Sequence, residues 1–207
     1  MREGNQKVQF YDTTLRDGAQ SLWAMRMTYG IHEAAAGELD KAGYSFIELP
    51  VNAVNGKMQV RFLNENPWDY ARLFKEKITK TKKNQVIMDC MDQLGEAEPR
   101  SVVRMYYEMA ARATGAARMF YMSNTRNELD RHFPWVVPIV KNMGLEFQPC
   151  ICYYPSPRTT DEYYADLTKK LMAYKPDALW LKDAGGLLTV ERVKTLLPAI
   201  QKEAKGT

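Results

Sequence analysis

The sequence predicts an α/β fold built from repeated βα units, the pattern of a TIM (β/α)8 barrel. Six short apolar runs alternate with longer helical stretches along the 207 residues. The repeat is about 30 to 35 residues, which suits one βα unit of such a barrel. Strands that alternate with helices favour a parallel sheet, because parallel strands need a crossover between them. A doubly wound sheet is the rival architecture, but no glycine-rich phosphate loop follows the first apolar run.

The predicted strands are short and rich in apolar, β-branched and aromatic residues, as buried parallel strands are. They cover residues 8–12, 46–49, 85–89, 118–122, 146–152 and 178–181. The predicted helices cover residues 28–42, 67–78, 99–114, 128–143, 159–174 and 189–205. Most begin at Thr, Pro or acidic residues and several end at glycine, as helix boundaries do. Pro134 and Pro138 predict a kink or a break in the fourth helix.

Six βα units do not close an eight-stranded barrel. We therefore expect residues 1–207 to form a single domain that is truncated after the sixth βα unit and lacks the last two units. Open sheet edges invite pairing with other chains, so this fragment alone is expected to be marginally stable or to associate. It is also expected to be inactive.

Composition excludes several classes of protein. The net charge of +4 is small, and no nucleic-acid-binding motif accompanies it, so we predict no nucleic-acid partner. No apolar run approaches the roughly 20 residues that span a bilayer, and the amino terminus has no apolar signal core. Three cysteines argue against a disulfide framework, and Cys150 and Cys152 alternate as small residues on one strand face. A reducing, cytoplasmic location is the default expectation.

The residues that carry chemistry begin directly after the first predicted strand. Residues 12–21 read Asp-Thr-Thr-Leu-Arg-Asp-Gly-Ala-Gln-Ser and bring carboxylates, a guanidinium and an amide into one short segment. Such segments at strand ends build the active site of a TIM barrel. An Asp carboxylate suits a hard divalent cation, and Arg16 could stabilise an enolate or a carboxylate. The alternative is a polar turn in which Asp17 caps the next helix.

This segment resembles the signature of the metallolyase superfamily of TIM barrels. The superfamily includes hydroxymethylglutaryl-CoA lyase, isopropylmalate and homocitrate synthases, and the carboxyltransferase domains of pyruvate carboxylase, transcarboxylase and oxaloacetate decarboxylase. The resemblance implies that Asp17 is a metal ligand and that Arg16 and Gln20 contact the substrate carboxylate and enolate. Glu48, near the end of the second strand, matches the acidic member of the signature, and the alternative is a capping or salt-bridging carboxylate.

Two further segments select the carboxyltransferase branch. Residues 61–68, Arg-Phe-Leu-Asn-Glu-Asn-Pro-Trp, resemble the segment before the second helix of biotin-dependent carboxyltransferases. Residues 181–189 resemble the Lys-Asp-Met-Ala-Gly-Leu-Leu segment that follows their sixth strand, where the lysine is carbamylated and binds the metal. The resemblance therefore implies a metal site of Asp17 and Lys182, the latter as a carbamate. An unmodified ammonium has no lone pair for a metal, and the alternative is a lysine with its head in water.

Other positions depart from the family pattern. The family completes its metal site with a His-x-His pair beyond the lysine, and His32 and His132 lie on predicted helices and cannot be that pair. Asp89 and Glu96 stand at substrate-binding positions where pyruvate-type carboxyltransferases carry an arginine and a tyrosine. Because an anionic acceptor is repelled by two carboxylates, we predict that the substrate is not plain pyruvate or that the pyruvate site is rebuilt.

The resemblance implies a metal-dependent carboxyltransferase of the pyruvate carboxylase or oxaloacetate decarboxylase type. It would use Zn2+ or Mn2+ and move a carboxyl group between carboxybiotin, carried by a partner domain or subunit, and a 2-oxo acid or related enolisable substrate. We also expect a homo-oligomer. The alternatives are an aldol or Claisen-type lyase or synthase, against which Lys182 argues, and a catalytically incomplete scaffold subunit.

Overall fold

The structure is a computed structural model that describes residues 8–87, 99–123 and 126–205. The chain divides into two compact units, and each contains parallel strands with helices between them. The first unit comprises residues 1–86 and 106–117, and the second comprises residues 87–105 and 118–207. Within the described ranges, no helix is both long and apolar enough to cross a bilayer.

Three parallel strands organise the first unit. They are β1 (Tyr11–Asp12), β2 (Phe46–Leu49) and β3 (Lys82–Ile87), and β2 pairs with both of the others. The second predicted strand is confirmed with its bounds. The first is shorter than predicted, because Val8 and Phe10 are exposed and only two residues pair with β2. The third starts before its apolar part, because its polar first half already pairs with β2.

Helices follow the strands of the first unit much as the sequence predicts. They are α1 (Ala19–Trp23), α2 (Tyr29–Lys41), α3 (Ala53–Met58), α4 (Pro67–Lys77) and the part of α5 (Arg100–Thr114) from residue 106 onward, with π-helical turns at Thr14–Gly18 and Gln59–Leu63. Pro67 occupies the first turn of α4, and the Asn66 side chain caps that helix by accepting from the Trp68 amide at 3.1 Å. The sequence does not predict the short α1 and α3 or either π-helical turn.

The core of the first unit packs β2 against α2, α4 and α5. Its largest members are aromatic or aliphatic side chains that are fully shielded from water, and they include Ile47, Leu49, Tyr70, Phe74 and Ile78. At about 25 cal/mol per Å2 of buried apolar surface, such side chains are the main stabilisation of the unit. This core holds β2, and therefore Glu48, in a fixed position.

The second unit is built on β4 (Arg118–Ser123), β5 (Glu146–Cys152) and β6 (Trp180–Lys182), which pair in parallel and in chain order. Its helices are α6 (Arg126–Arg131), α7 (Phe133–Asn142), α8 (Asp161–Met172) and α9 (Val190–Glu203). The break predicted in the fourth helix is confirmed, since α6 ends at Arg131 and α7 restarts with proline in its first turn.

Alternate residues of these strands serve two different faces. One face packs on α7, where the ring of Phe133 meets Tyr121 at 4.8 Å and Phe147 at 5.5 Å between centroids. Lys182 is the register partner of Cys152, and Trp180 is the register partner of Cys150. Register partners in a parallel sheet share a face, so Lys182 projects from the face that carries these cysteines, opposite to Phe147.

Candidate active site

The segment after β1 folds into a tight turn that its own polar groups stabilise. The Asp12 carboxylate accepts from the Thr14 amide at 3.1 Å and from the Thr14 hydroxyl at 2.8 Å. The amides of Arg16, Asp17 and Gly18 then all donate to the Thr13 carbonyl, at 3.2, 2.7 and 3.1 Å. The result is the π-helical turn Thr14–Gly18, which presents Arg16 and Asp17 at the carboxyl end of β1.

Arg16 is the centre of a buried polar cluster. One terminal nitrogen donates to the Glu48 carboxylate at 2.8 Å, and the other donates to Asp17 at 2.8 Å and to the Gln20 side-chain oxygen at 3.4 Å. Arg16 is 2% exposed and Glu48 is fully buried. The sequence-predicted residues Arg16, Asp17, Gln20 and Glu48 are thus brought together, although Glu48 is 32 residues away along the chain.

The cluster divides its carboxylates into a buried one and an accessible one. Glu48 is the fully buried counter-ion of the guanidinium, and without it the buried charge would keep only the half-exposed Asp17 as a partner. Asp17 is 45% exposed, so a cation could reach its carboxylate. Nε of Arg16 has no hydrogen-bond partner among the described residues. Its N–H is therefore available to a further acceptor.

The contact with Arg16 also orients the Gln20 amide. A guanidinium has only donors, so the Gln20 oxygen must face it. The Gln20 NH2 group then points away from Arg16, and Gln20 is half-buried. A half-buried amide donor beside a positive charge suits a carboxylate or an enolate oxygen.

The segment of residues 61–68 contacts two helices of the first unit through Glu65. The Glu65 carboxylate accepts from the Tyr29 amide at 3.2 Å, at the start of α2, and from the Tyr70 hydroxyl. Burial and the adjacent Glu65 carboxylate raise the pKa of Tyr70 above its ordinary range, so the phenol stays protonated and donates. In this structure the segment therefore ties α2 to α4.

Lys182 is the last residue of β6 in the second unit, and hydrogen bonds to the Asp183 side chain stabilise the loop that follows. The Asp183 carboxylate accepts from the amides of Leu187 at 3.0 Å and Leu188 at 2.7 Å. The Lys182 carbonyl accepts from the Tyr153 amide at 2.8 Å, which fixes the end of the strand beside β5. Lys182 and Asp17 belong to different units, and their approach to one metal stays a prediction.

The two cysteines lie on one face of β5, as the alternation predicts, and Cys152 is the register partner of Lys182. Cys150 is buried, Cys152 is partly buried, and their sulfurs are 3.8 Å apart, well beyond a disulfide bond length. Among the described residues, no group of three or more His, Cys, Asp or Glu side chains converges on one point. Asp89 and Glu96 lie outside the described residues, so their predicted contact with substrate stays a prediction.

His32 is a neighbour of the site that sequence reasoning does not find. The sequence places it on a helix, as the structure confirms, but does not predict its contact with the turn after β1. Its Nε2 lies 3.2 Å from the Leu15 carbonyl, directly before Arg16. The available signal is a histidine on the buried side of the first long helix after the motif, but helical spacing alone does not say which loop such a side chain meets.

Comparison with known proteins supports the family resemblance. No protein-family model matches the sequence. The chain is 30% identical over 197 residues to a pyruvate carboxylase subunit of Methanocaldococcus jannaschii, covering 95% of this chain and 34% of that relative. It is 30% identical over 197 residues to the methylmalonyl-CoA carboxyltransferase 5S subunit of Propionibacterium freudenreichii subsp. shermanii, covering 94% of this chain and 38% of that relative.

The fold is also similar to that of a solved carboxyl transferase domain. The carboxyl transferase domain of Rhizobium etli pyruvate carboxylase, solved with pyruvate and biocytin, matches with a TM-score of 0.82 at 24% identity over 95% of this chain and 34% of that one. The likeness confirms the predicted α/β fold class of the TIM-barrel type. The chain spans 34% to 38% of the length of these relatives. Over nearly its own whole length, the chain is similar in sequence to these two subunits and has the fold of that carboxyl transferase domain.

Proposed function

We propose that the protein is a metal-dependent biotin carboxyltransferase that moves a carboxyl group between carboxybiotin and a 2-oxo acid. The observation that carries the proposal is the cluster of Arg16, Asp17, Gln20 and Glu48 at the strand ends of the first unit. A buried arginine beside an accessible carboxylate and a fixed amide donor is suited to an enolate next to a cation. The sequence similarity to a pyruvate carboxylase subunit and to a methylmalonyl-CoA carboxyltransferase subunit supports the same class of reaction.

The residues present fit a divalent metal. Asp17 offers a half-exposed carboxylate, and Lys182 would offer an anionic oxygen once it has reacted with CO2 to form a carbamate. The metal would be Zn2+ or Mn2+, and it would act as a Lewis acid and as a template for the 2-oxo acid. Arg16, paired with Asp17, would hold that carboxylate in place for the ion.

The remaining residues would act on the organic substrate. Gln20 would donate its amide N–H to the substrate carboxylate or enolate oxygen, and Arg16 would supply positive charge behind it. Glu48 would orient the guanidinium and balance its charge without touching the substrate, because Glu48 is fully buried. Biotin would arrive on a partner domain or subunit. Asp89 and Glu96 would shape the acceptor site, so we propose either an acceptor other than plain pyruvate or a rebuilt pyruvate site.

The test is decarboxylation of a panel of 2-oxo dicarboxylic acids by the full-length protein loaded with Zn2+ or Mn2+, with and without free biotin. A biotin-stimulated rate is the expected result. Cleavage at the same rate with and without biotin would favour the aldol or Claisen-type lyase. No turnover with either metal and every acid, from protein that is folded, would favour the scaffold subunit. Metal analysis of the same samples with and without bicarbonate shows whether the loading was achieved.

A further inference from the structure

We propose that His32 is a positioning residue for the proposed carboxyltransferase site, and that it acts by donating from Nε2 to the Leu15 carbonyl and so fixing the turn that presents Arg16 and Asp17. The inference rests on the proposed function for its kinetic consequence. Its structural part concerns only the first unit and is independent of which reaction the site performs.

The geometry places both ring nitrogens of His32 against carbonyl oxygens. Nε2 lies 3.2 Å from the Leu15 oxygen and Nδ1 lies 3.0 Å from the Thr28 oxygen. The Thr28 carbonyl already accepts the backbone amide of His32, at 3.1 Å, as part of the helix. The Nε2 contact is different, because it joins two segments that are 17 residues apart. This side-chain contact connects α2 to the turn after β1.

The surroundings keep the imidazole neutral and immobile. His32 is 1% exposed, and the edge-to-face rings of Tyr70 and Phe74 stand 5.2 and 5.6 Å from it. Burial lowers its pKa, and the nearby carbonyls and Glu65 only partly oppose that effect. A neutral imidazole has one N–H and can donate to one carbonyl. We assign that proton to Nε2, because the Thr28 carbonyl already accepts a backbone amide, and the single donor then serves the Leu15 carbonyl.

The position of the Leu15 carbonyl explains why its contact with His32 affects the site. Leu15 is fully buried, and its carbonyl directly precedes Arg16 in the π-helical turn Thr14–Gly18. Held at this point, the turn keeps the Arg16 fork aimed at Glu48 and Asp17. Small displacements of a positioned group reduce rates strongly, so a loosened turn would weaken catalysis even though His32 touches no substrate.

Two substitutions separate the hydrogen bond from packing. His32→Phe keeps an aromatic ring between Tyr70 and Phe74 but removes the donor. His32→Gln places an amide N–H about where Nε2 stands and keeps the donor. Phe74→Leu is the matched control, because it removes one ring that packs on His32 without altering the contact with Leu15.

The first measurement is amide hydrogen exchange of peptides covering residues 13–23 in the full-length protein, with unfolding followed in parallel. We expect at least tenfold faster exchange in His32→Phe and native-like exchange in His32→Gln and Phe74→Leu. The second is kcat/KM for the biotin-stimulated decarboxylation, expected to fall at least tenfold in His32→Phe and to be restored in His32→Gln. Equal exchange in both His32 variants would overturn the positioning role, as would faster exchange with unchanged kcat/KM. If the native protein shows no turnover, the proposed function fails, and the exchange result still decides the contact itself.

Discussion

The guanidinium of Arg16 and the carboxylate of Glu48 form a buried ion pair, with 2.8 Å between a terminal nitrogen and Oε2. The two residues come from the turn after β1 and from β2, so the pair joins the two strand ends on which the site is built. Asp17 takes a second donor of the same guanidinium and remains accessible. The arrangement leaves one buried carboxylate on the arginine and one accessible carboxylate, which is the proposed cation ligand.

Glu48→Gln should destabilise the first unit by about 3 kcal/mol, because it leaves the buried Arg16 charge with only the half-exposed Asp17 as a counter-ion. The free energy of unfolding from urea titrations measures this. Glu38→Gln is the matched control, since Glu38 pairs with Lys41 at the same 2.8 Å but on the surface. That exposed pair should contribute less than about 1 kcal/mol. Equal losses in the two variants would show that burial does not set the strength of the Arg16 pair.

Asp17→Asn should lower bound metal at least tenfold while leaving the melting temperature nearly unchanged. Asp17 is half-exposed, so its loss removes a ligand without opening the core. Metal content by mass spectrometry after dialysis, together with thermal melting, makes the comparison. Asp69→Asn serves as the control, because Asp69 is an exposed carboxylate that pairs with Arg72 on α4. Full metal content in Asp17→Asn would remove Asp17 from the proposed ligand set.

Lys182 should form a carbamate when bicarbonate and metal are present. With 13C-bicarbonate, we expect a carbamate carbonyl resonance in the carbon NMR spectrum that disappears in Lys182→Met. Lys202→Met is the control, because Lys202 is an exposed lysine in the last turn of α9. Metal retention should rise with bicarbonate in the native protein and in the control only. A resonance that persists in Lys182→Met would assign the carbamate to another lysine.

Asp40 should make the stability of the first unit depend on acid. Burial alone would raise its pKa, but the amides of Thr79, Lys80 and Thr81 donate to the carboxylate at 2.7 to 3.1 Å and lower the pKa from its ordinary 3.8 to about 2. A depressed folded-state pKa stabilises the protein above the unfolded-state value. The contribution, about 2 kcal/mol, should therefore be present above pH 4 and disappear as the pH falls toward 2.

The variant Asp40→Asn isolates this contribution. Its unfolding free energy should be lower than that of the native protein at pH 6, and the difference should shrink between pH 4 and pH 2 as the native carboxylate becomes protonated. Denaturant titrations at four or five pH values give the curve. A difference that stays constant over this range would mean that ionisation of Asp40 does not contribute.

Much of the fold was predictable because strand and helix periods are local properties. The bounds of β2 and β5 and the break between α6 and α7 follow from short apolar runs and proline positions. The beginning of β3 does not, because Lys82 and its polar neighbours are strand only by pairing with β2. The two π-helical turns were not predicted either, because their spacing departs from the ordinary helical repeat.

The site was predictable as a set of residues more than as a set of contacts. The motif after β1 and the strand-end position of Glu48 identified four members of the cluster. Glu48 forms a salt bridge with Arg16, which is the alternative role that the sequence leaves open for it. Sequence spacing does not encode this pairing, because the two residues are 32 positions apart. The same is true of His32 and the Leu15 carbonyl. Long-range side-chain pairs form only once the core sets the separation of their backbones.

The most direct test of the central claim is carboxyl transfer itself. The metal-loaded, full-length protein would be incubated with a 2-oxo dicarboxylic acid labelled with 14C in the transferable carboxyl group, together with free biotin, and the label in acid-labile carboxybiotin would be measured. We predict label in carboxybiotin that depends on both protein and metal and is lost in Arg16→Met. Release of labelled CO2 at the same rate with and without biotin, and no label in biotin for any acid tested, would contradict the assignment as a carboxyltransferase.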